Sequence, residues 1–251
     1  MRPGPAARGL EWLTAVPIAH RGLHDGGSAL ENTPSAFAAA IRKGYAIECD
    51  IQLTADGEAI VFHDDDLGRL TDIAGPVASR TAADVRKLPL RRSQDRIPTL
   101  ADLLQQVDGR VSLIVEIKSR WNDDATLARR AIDVATGYGG KLAFMSYDPT
   151  IVEAFALGAP DLPRGIVADR MTHSSWNRMP FGKRLELRHF THWNRTRPHF
   201  VSFDAHGLPW GPVRQVRASG LPVICWTIRS PEEASEALRH CDQITFEGYF
   251  P

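Results

Sequence analysis

Tyr45-Ala46-Ile47-Glu48-Cys49-Asp50-Ile51-Gln52-Leu53 is an aliphatic run interrupted by two carboxylates. Its branched and aliphatic residues predict a buried strand. Side chains two apart on a strand share a face, so Glu48 and Asp50 leave it together. Cys49 then faces the other way, toward the helices, as a packed thiol. A second run repeats the pattern: Val111-Ser112-Leu113-Ile114-Val115 leads into Glu116-Ile117-Lys118. Buried charges are costly unless paired or bound to metal. Two strands that each push two charged groups to one side predict a charged site at the ends of several strands.

Outward from these runs, short apolar segments alternate with helical patterns. Candidate strands cover 16–19, 45–53, 59–63, 111–117, 142–146, 165–168, 200–203 and 222–228. Helical patterns cover 33–43, 100–107, 125–136, 150–157, 211–218 and 231–241; Pro34 suits a first turn and Gly44 a stop. Repeated alternation predicts a parallel sheet, and eight units predict an α/β fold closed as a TIM (β/α)8 barrel. The extended stretch 243–246 makes nine candidates for eight places, and the sequence does not single out the surplus one. Thr54-Ala55-Asp56-Gly57 is a turn with no room for a helix. To bring His63 to the end where Asp50 lies, the chain is expected to run back down as extended structure and rise again. Residues 65–97 read as an excursion after the third strand, polar, turn-rich and too short for a core of its own. The whole of 1–251 reads as a single domain.

Apolar content of 43% and charged content of 24% are ordinary for a soluble globular chain. Lys plus Arg equals Asp plus Glu, which leaves no electrostatic footprint for nucleic acid or a membrane surface. No apolar run approaches the ~18 residues of a membrane span, so no stable membrane insertion is expected. Met1-Arg2-Pro3-Gly4-Pro5 has neither an apolar core nor a cleavage signature, so a cytoplasmic location is the expectation. Cys49, Cys225 and Cys241 are too few and too scattered for a disulfide framework or a zinc site. The oligomeric state is not legible.

Reactive groups in such barrels gather at the C-terminal ends of the strands. Those ends supply His20-Arg21-Gly22, Glu48 and Asp50, His63-Asp64, Glu116 and Lys118, Ser146, and Trp226-Thr227. Glu48, Asp50 and Glu116 offer only oxygen donors, which suit Mg²⁺ or Ca²⁺. Three carboxylates around one divalent cation leave about one surplus negative charge. Arg21 and Lys118 more than offset it, so the site attracts an anion such as a phosphodiester. His20 and His63 titrate near neutrality, so one can accept a proton while the other donates one. That pairing suits displacement at phosphorus, with the metal as Lewis acid and template. The plainer readings are rim ion pairs for the carboxylates and satisfied core histidines for the imidazoles. His24 reads as a loop residue, Asp65 and Asp66 as solvated loop, and Asp64 as a group that orients a histidine. Ser146 serves packing or function equally well, and Trp226 reads as pocket wall.

The chain resembles the glycerophosphodiester phosphodiesterase family. The matching residues are His20-Arg21-Gly22; Glu31-Asn32-Thr33-Pro34 with Ala36-Phe37; Glu48-Cys49-Asp50-Ile51; Thr54 with Asp56-Gly57; Val61-Phe62-His63-Asp64; Leu70-Thr71; Ile97-Pro98-Thr99-Leu100; Glu116-Ile117-Lys118; and Trp226-Thr227. The match is dense in the first half and sparse in the second. The resemblance implies a TIM barrel that hydrolyses small glycerophosphodiesters, such as glycerophosphocholine or glycerophosphoethanolamine, to glycerol 3-phosphate and an alcohol. It implies His20 and His63 as the general acid/base pair and Glu48, Asp50 and Glu116 as ligands of the divalent cation. It further implies Arg21 and Lys118 as phosphate-binding groups, Trp226 as pocket lining, and attack by the substrate's own glycerol hydroxyl to give a cyclic phosphate.

Two stretches depart from the family's pattern. Where members carry a Thr-Asp-x-Pro-like ending, this chain reads Thr245-Phe246-Glu247-Gly248-Tyr249-Phe250-Pro251, with the aspartate replaced or displaced. Residues 169–198 are basic, with Trp176, Phe181, Phe190 and Trp193 interleaved. They read as a lid or pocket rim whose deletion over 172–195 spares the fold. The alternatives are a surface for lipid headgroups or anionic partners, or a solvated helix pair with a satellite core. Two competing functions remain at this stage. One is a lysophospholipase D in which the aromatic residues form an acyl-chain groove. The other is a non-catalytic barrel that binds phosphodiesters or a partner protein.

Overall fold

Alternation along each strand decides which side chains fill the barrel and which meet the helices. The structure, a computed structural model, describes residues 9–25 and 29–251. The amino-terminal stretch read above, 1–5, lies outside the described residues. In chain order the elements are β1 (Ile18–Ala19), α1 (Pro34–Lys43), β2 (Ala46–Leu53), β3 (Ala59–Val61), α2 (Ala82–Val85), α3 (Leu100–Val107), β4 (Leu113–Ile117), α4 (Thr126–Ala135), β5 (Leu142–Ser146), α5 (Pro149–Gly158), β6 (Arg164–Ala168), α6 (Phe181–His189), α7 (Trp193–Thr196), β7 (Phe200–Asp204), α8 (Gly211–Ala218), β8 (Val223–Ile228), α9 (Pro231–Ala237) and β9 (Gln243–Phe246).

One set of strand side chains points inward. Ile18, Ala46, Ile114, Ala143, Val167, Phe200 and Ile224 pack together as the barrel floor. Their neighbours, among them Ile47, Cys49, Val115, Phe144, Val201 and Cys225, face outward and pack with Phe37, Leu103, Ala131, Phe155 and Val213 of the helices. A Cβ on Gly165 of β6 would stand 2.4 Å from the Phe200 ring, so only a residue without a side chain lets that phenyl fill the floor.

The parallel strands run β1-β2-β4-β5-β6-β7-β8-β9, and β1 pairs with both β2 and β9 to close the barrel. The surplus strand is therefore β3, which pairs antiparallel with β2 alone, while 243–246 is a true stave. The expected descent occurs, as β3, but the second rise before His63 does not. Instead β2 runs past Asp50 to Leu53, and β3 returns with Val61 opposite Ile51. The Phe62 amide donates to the Asp50 carbonyl at 3.0 Å, so His63 arrives level with Asp50 on the way down.

Helix starts follow local chemistry. Thr33 caps α1 by accepting from the Ala36 amide, with Pro34 in the first turn. Thr99 and Asp102 form a reciprocal capping box on α3. The pattern over 231–241 ends early, at Ala237.

The two irregular segments are more embedded than their composition predicts. Within 65–97, Leu67, Val77, Val85 and Leu90 cluster around Ile60 and Phe62, so the hairpin completes a small core the excursion could not build alone. Within 169–198, Leu187, Phe190 and Trp193 are buried in the protein, whereas Phe181 is 67% exposed. Arg195 pairs with Glu153 and Glu186, Lys183 with Glu186, and Arg170 reaches the Gly207 and Pro209 carbonyls. Arg188 lies over the Trp210 ring. Most of this segment's positive charge is thus engaged inside the fold. Deleting 172–195 would strip buried side chains from the core, so the expectation that the fold survives is corrected. Among the described residues, no helix is long and apolar enough to cross a membrane. Cys225 and Cys241, distant in sequence, stand with sulfurs 2.9 Å apart as buried free thiols.

Candidate active site

At the C-terminal mouth the inward face turns from apolar to charged. His20, Arg21, Glu48, Asp50, His63, Glu116, Lys118 and Trp226 all line one cavity of about 380 Å³. The eight residues given catalytic, metal-binding or substrate-binding roles from sequence are thus brought together.

One oxygen each from Glu48, Asp50 and Glu116 lie within 4.8 Å of one another. Lys118 Nζ stands 2.7 Å from Asp50 Oδ1 and 2.7 Å from Glu116 Oε1. Asn32 Nδ2 donates to Asp50 Oδ2 at 2.9 Å, and the Arg21 amide donates to Glu48 Oε2 at 3.0 Å. That amide is aimed by a tight turn after β1, where Arg21 has φ 55° and Gly22 φ 80°. A Cβ on Gly22 would meet Ala36 and Phe37 at 3.0 Å, so both the turn and the close approach of α1 require glycine. Burial pushes Glu48 well above the usual carboxylate range, and the neighbouring charges of Asp50 and Glu116 push it further. Asp50 is also buried, but Lys118, His63 and Arg21 outweigh that and hold it below its ordinary value. A buried carboxylate crowded by two others is the arrangement a divalent cation relieves, and an all-oxygen donor set fits a hard ion.

Each histidine is braced by a carboxylate. His20 Nδ1 donates to Glu247 Oε2 at 2.6 Å, and His63 Nδ1 donates to Asp64 Oδ1 at 2.7 Å. This leaves His20 Nε2 beside Glu48, 4.0 Å from its Oε2. Asp64 is gripped in turn by Arg69, which also binds Glu31 at 2.9 and 2.6 Å; Glu31 accepts from Arg21 at 2.7 Å. A chain of alternating charges thus links His63 to Arg21. Burial lowers the His63 pKa, outweighing the opposing pull of Asp50, so this ring is neutral near pH 7. The hydrogen bond from His20 holds Glu247 down at about 2.

Several groups at the site were not assigned roles from sequence: Glu31, Asn32, Arg69, Tyr147, Asp204 and Glu247. Strand parity would have found three of them. Met145 points inward, so Tyr147 does; Ser202 leads to Asp204, and Thr245 to Glu247. Ser146 has the opposite parity. Its hydroxyl donates to the Ile117 carbonyl at 2.7 Å and accepts from the Asp148 amide, a packing role. Trp226 forms cavity wall, edge to face with Tyr147 at 6.1 Å. Asp65 and Asp66 are exposed as expected, yet Asp65 accepts from Gln52 and Asp66 caps the turn at Gly68.

Residues 20–244 match the glycerophosphoryl diester phosphodiesterase family. A glycerophosphodiester phosphodiesterase of Caldanaerobacter subterraneus is 37% identical over 115 residues, 43% of this chain and 46% of that one. Glycerophosphodiester phosphodiesterase 1 of Homo sapiens is 24% identical over 274 residues, 93% of this chain and 78% of that one. Among solved structures, an Oleispira antarctica phosphodiesterase in complex with the product sn-glycerol-3-phosphate shares the fold. Its TM-score is 0.75 at 22% identity, covering 97% of this chain and 95% of that chain. With the match spanning most of its length and the barrel in place, this chain belongs to the glycerophosphoryl diester phosphodiesterase family and is a phosphoric diester hydrolase.

Proposed function

We propose that the chain hydrolyses small glycerophosphodiesters to glycerol 3-phosphate and an alcohol, with a divalent cation, Mg²⁺ or Ca²⁺, held by Glu48, Asp50 and Glu116. The observation that carries this reading is the pair of separately braced imidazoles facing the same cavity as the three carboxylates. The cation, when bound, supplies a Lewis-acid centre and a template for the phosphate.

The remaining chemistry belongs to the chain. Arg21 and Lys118 present positive charge to the non-bridging oxygens. His63, neutral near pH 7, accepts at Nε2 the proton of the substrate's glycerol hydroxyl as that oxygen attacks phosphorus. His20, oriented through Nδ1 by Glu247, donates from Nε2 to the departing alcohol oxygen as the ester bond breaks. Water then opens the cyclic phosphate with the two proton-transfer roles reversed.

The competing readings have less support. Phe190 and Trp193 are buried in the core, so they cannot line an acyl-chain groove as a lysophospholipase D would need. A purely binding barrel has no use for two braced histidines. The rim role of 169–198 is kept for its first half, where Trp176 packs against Tyr147 at 5.2 Å. The test is release of glycerol 3-phosphate from glycerophosphocholine by the purified protein. Exhaustive chelation should abolish turnover, and Mg²⁺ or Ca²⁺ should restore it. Full turnover after chelation would contradict the cation's role, and a preference for lysophosphatidylcholine would favour the lipid reading.

A further inference from the structure

The mouth of the barrel has two chemically different halves. On the side of β1, β2 and β4 stand the histidines, the three carboxylates and their cationic partners. Beyond β5, β6, β7 and β8 the chain instead places Tyr147, Asp169, Asp204 and Trp226. Asp204 and Trp226 are register partners across β7 and β8, and β7 lies across the barrel from β2.

This second half is built rather than incidental. Tyr147 and Trp226 meet edge to face at 6.1 Å, both in the cavity wall. Trp176 packs on Tyr147 at 5.2 Å and donates from Nε1 to Asp169 Oδ2 at 2.8 Å; the Tyr147 hydroxyl lies 3.4 Å from the same oxygen. Asp169 therefore locks the aromatic wall from behind. Asp204 also lines the cavity, and its hydrogen bonds, from the His206 amide and ring, go to Oδ1. No hydrogen bond among the described residues engages Oδ2. Among the described residues lining this side, the one full cation is Arg229, 3.6 Å from Glu247, which offsets it. Burial raises the Tyr147 phenol, and Asp169, Glu116 and Asp204 raise it further, a sign of negative potential along the wall.

Two aromatic rings beside a carboxylate with a free oxygen suit an onium group, through cation–π contact with the rings and charge attraction to the acid. An anionic alcohol would be repelled by Asp204. A neutral polyol would leave the ring faces unused. We propose that the β5–β8 side of the cavity is a subsite for the leaving alcohol and selects a quaternary ammonium alcohol, so that glycerophosphocholine is the preferred diester. This rests on the hydrolase reading above.

The test compares kcat/KM for glycerophosphocholine, its uncharged 3,3-dimethylbutanol isostere and glycerophosphoglycerol. A preference of about tenfold for choline over the isostere is expected, the scale of a partly desolvated cation–π and charge contact. Asp204→Asn and Trp226→Leu should each shrink that ratio, mainly through KM for the choline ester, while Trp226→Phe should keep it. A second readout does not depend on turnover of a choline ester. Tetramethylammonium should compete with glycerophosphoglycerol in the unmodified enzyme, and more weakly in Asp204→Asn. Equal kcat/KM for choline and isostere, or a ratio that survives both substitutions, would overturn the subsite while leaving the hydrolase intact. Failure to turn over any glycerophosphodiester would overturn the hydrolase reading, and this inference with it.

Discussion

His20 and Glu247 are 227 positions apart in sequence and 2.6 Å apart in space. Sequence motifs exposed the imidazole but not its partner, because the carboxylate sits where the family's usual ending is altered. A parity count from Thr245 would have found it. Two outcomes follow at this scale. His63→Ala and His20→Ala should each lower kcat by on the order of 10²–10⁴ with the fold retained, checked by steady-state kinetics beside circular dichroism. Normal turnover in either variant would refute the role given to that ring. Glu247 is held at about 2 against an ordinary 4.5, so its carboxylate stabilises the fold fully above the ordinary value. That stabilisation is lost as pH falls from about 4.5 toward 2. The gap in urea midpoint between the parent protein and Glu247→Gln should therefore be full above about pH 5 and close on acidification toward about pH 2; a gap that persists unchanged through acidification would contradict the pairing.

Strands and helices were legible where period and caps agree, as over 100–107, where the Thr99 capping box marks the start. Pairing was not legible. Hydrophobic alternation is the same for a barrel stave and for a hairpin strand, so 59–63 and 243–246 could not be ranked until register was known. Composition also misled over 169–198. Seven basic residues among interleaved aromatics predict a lid or pocket rim, but Arg195, Lys183, Arg170 and Arg188 are tied to partners, and Phe190 and Trp193 are core. Phe190→Ala and Trp193→Ala should each cost about 3–5 kcal/mol in denaturant unfolding, the range for buried aromatic deletion. Phe181→Ala, at an exposed position, should stay within about 0.5 kcal/mol. Similar losses at all three would mean the segment is a uniform surface layer.

In the whole molecule, one rule places the site. β2 and β4 are apolar inward at the floor and charged inward at the mouth, as in Ala46, Glu48 and Asp50 on β2 and Ile114, Glu116 and Lys118 on and just past β4. Closing the barrel brings these separate alternations together as one charged half of the mouth. That much was readable from two strands. Of the aromatic half only Trp226 was, because Tyr147 and Asp204 gain meaning only when β5 and β7 curve round to the same cavity. The most direct measurement of this convergence is a crystal structure of the chain soaked with Ca²⁺ and glycerol 3-phosphate. It should show one ion bound by an oxygen from each of Glu48, Asp50 and Glu116, with the phosphate between His20 and His63. An ion bound elsewhere, or a phosphate out of reach of both imidazoles, would contradict it.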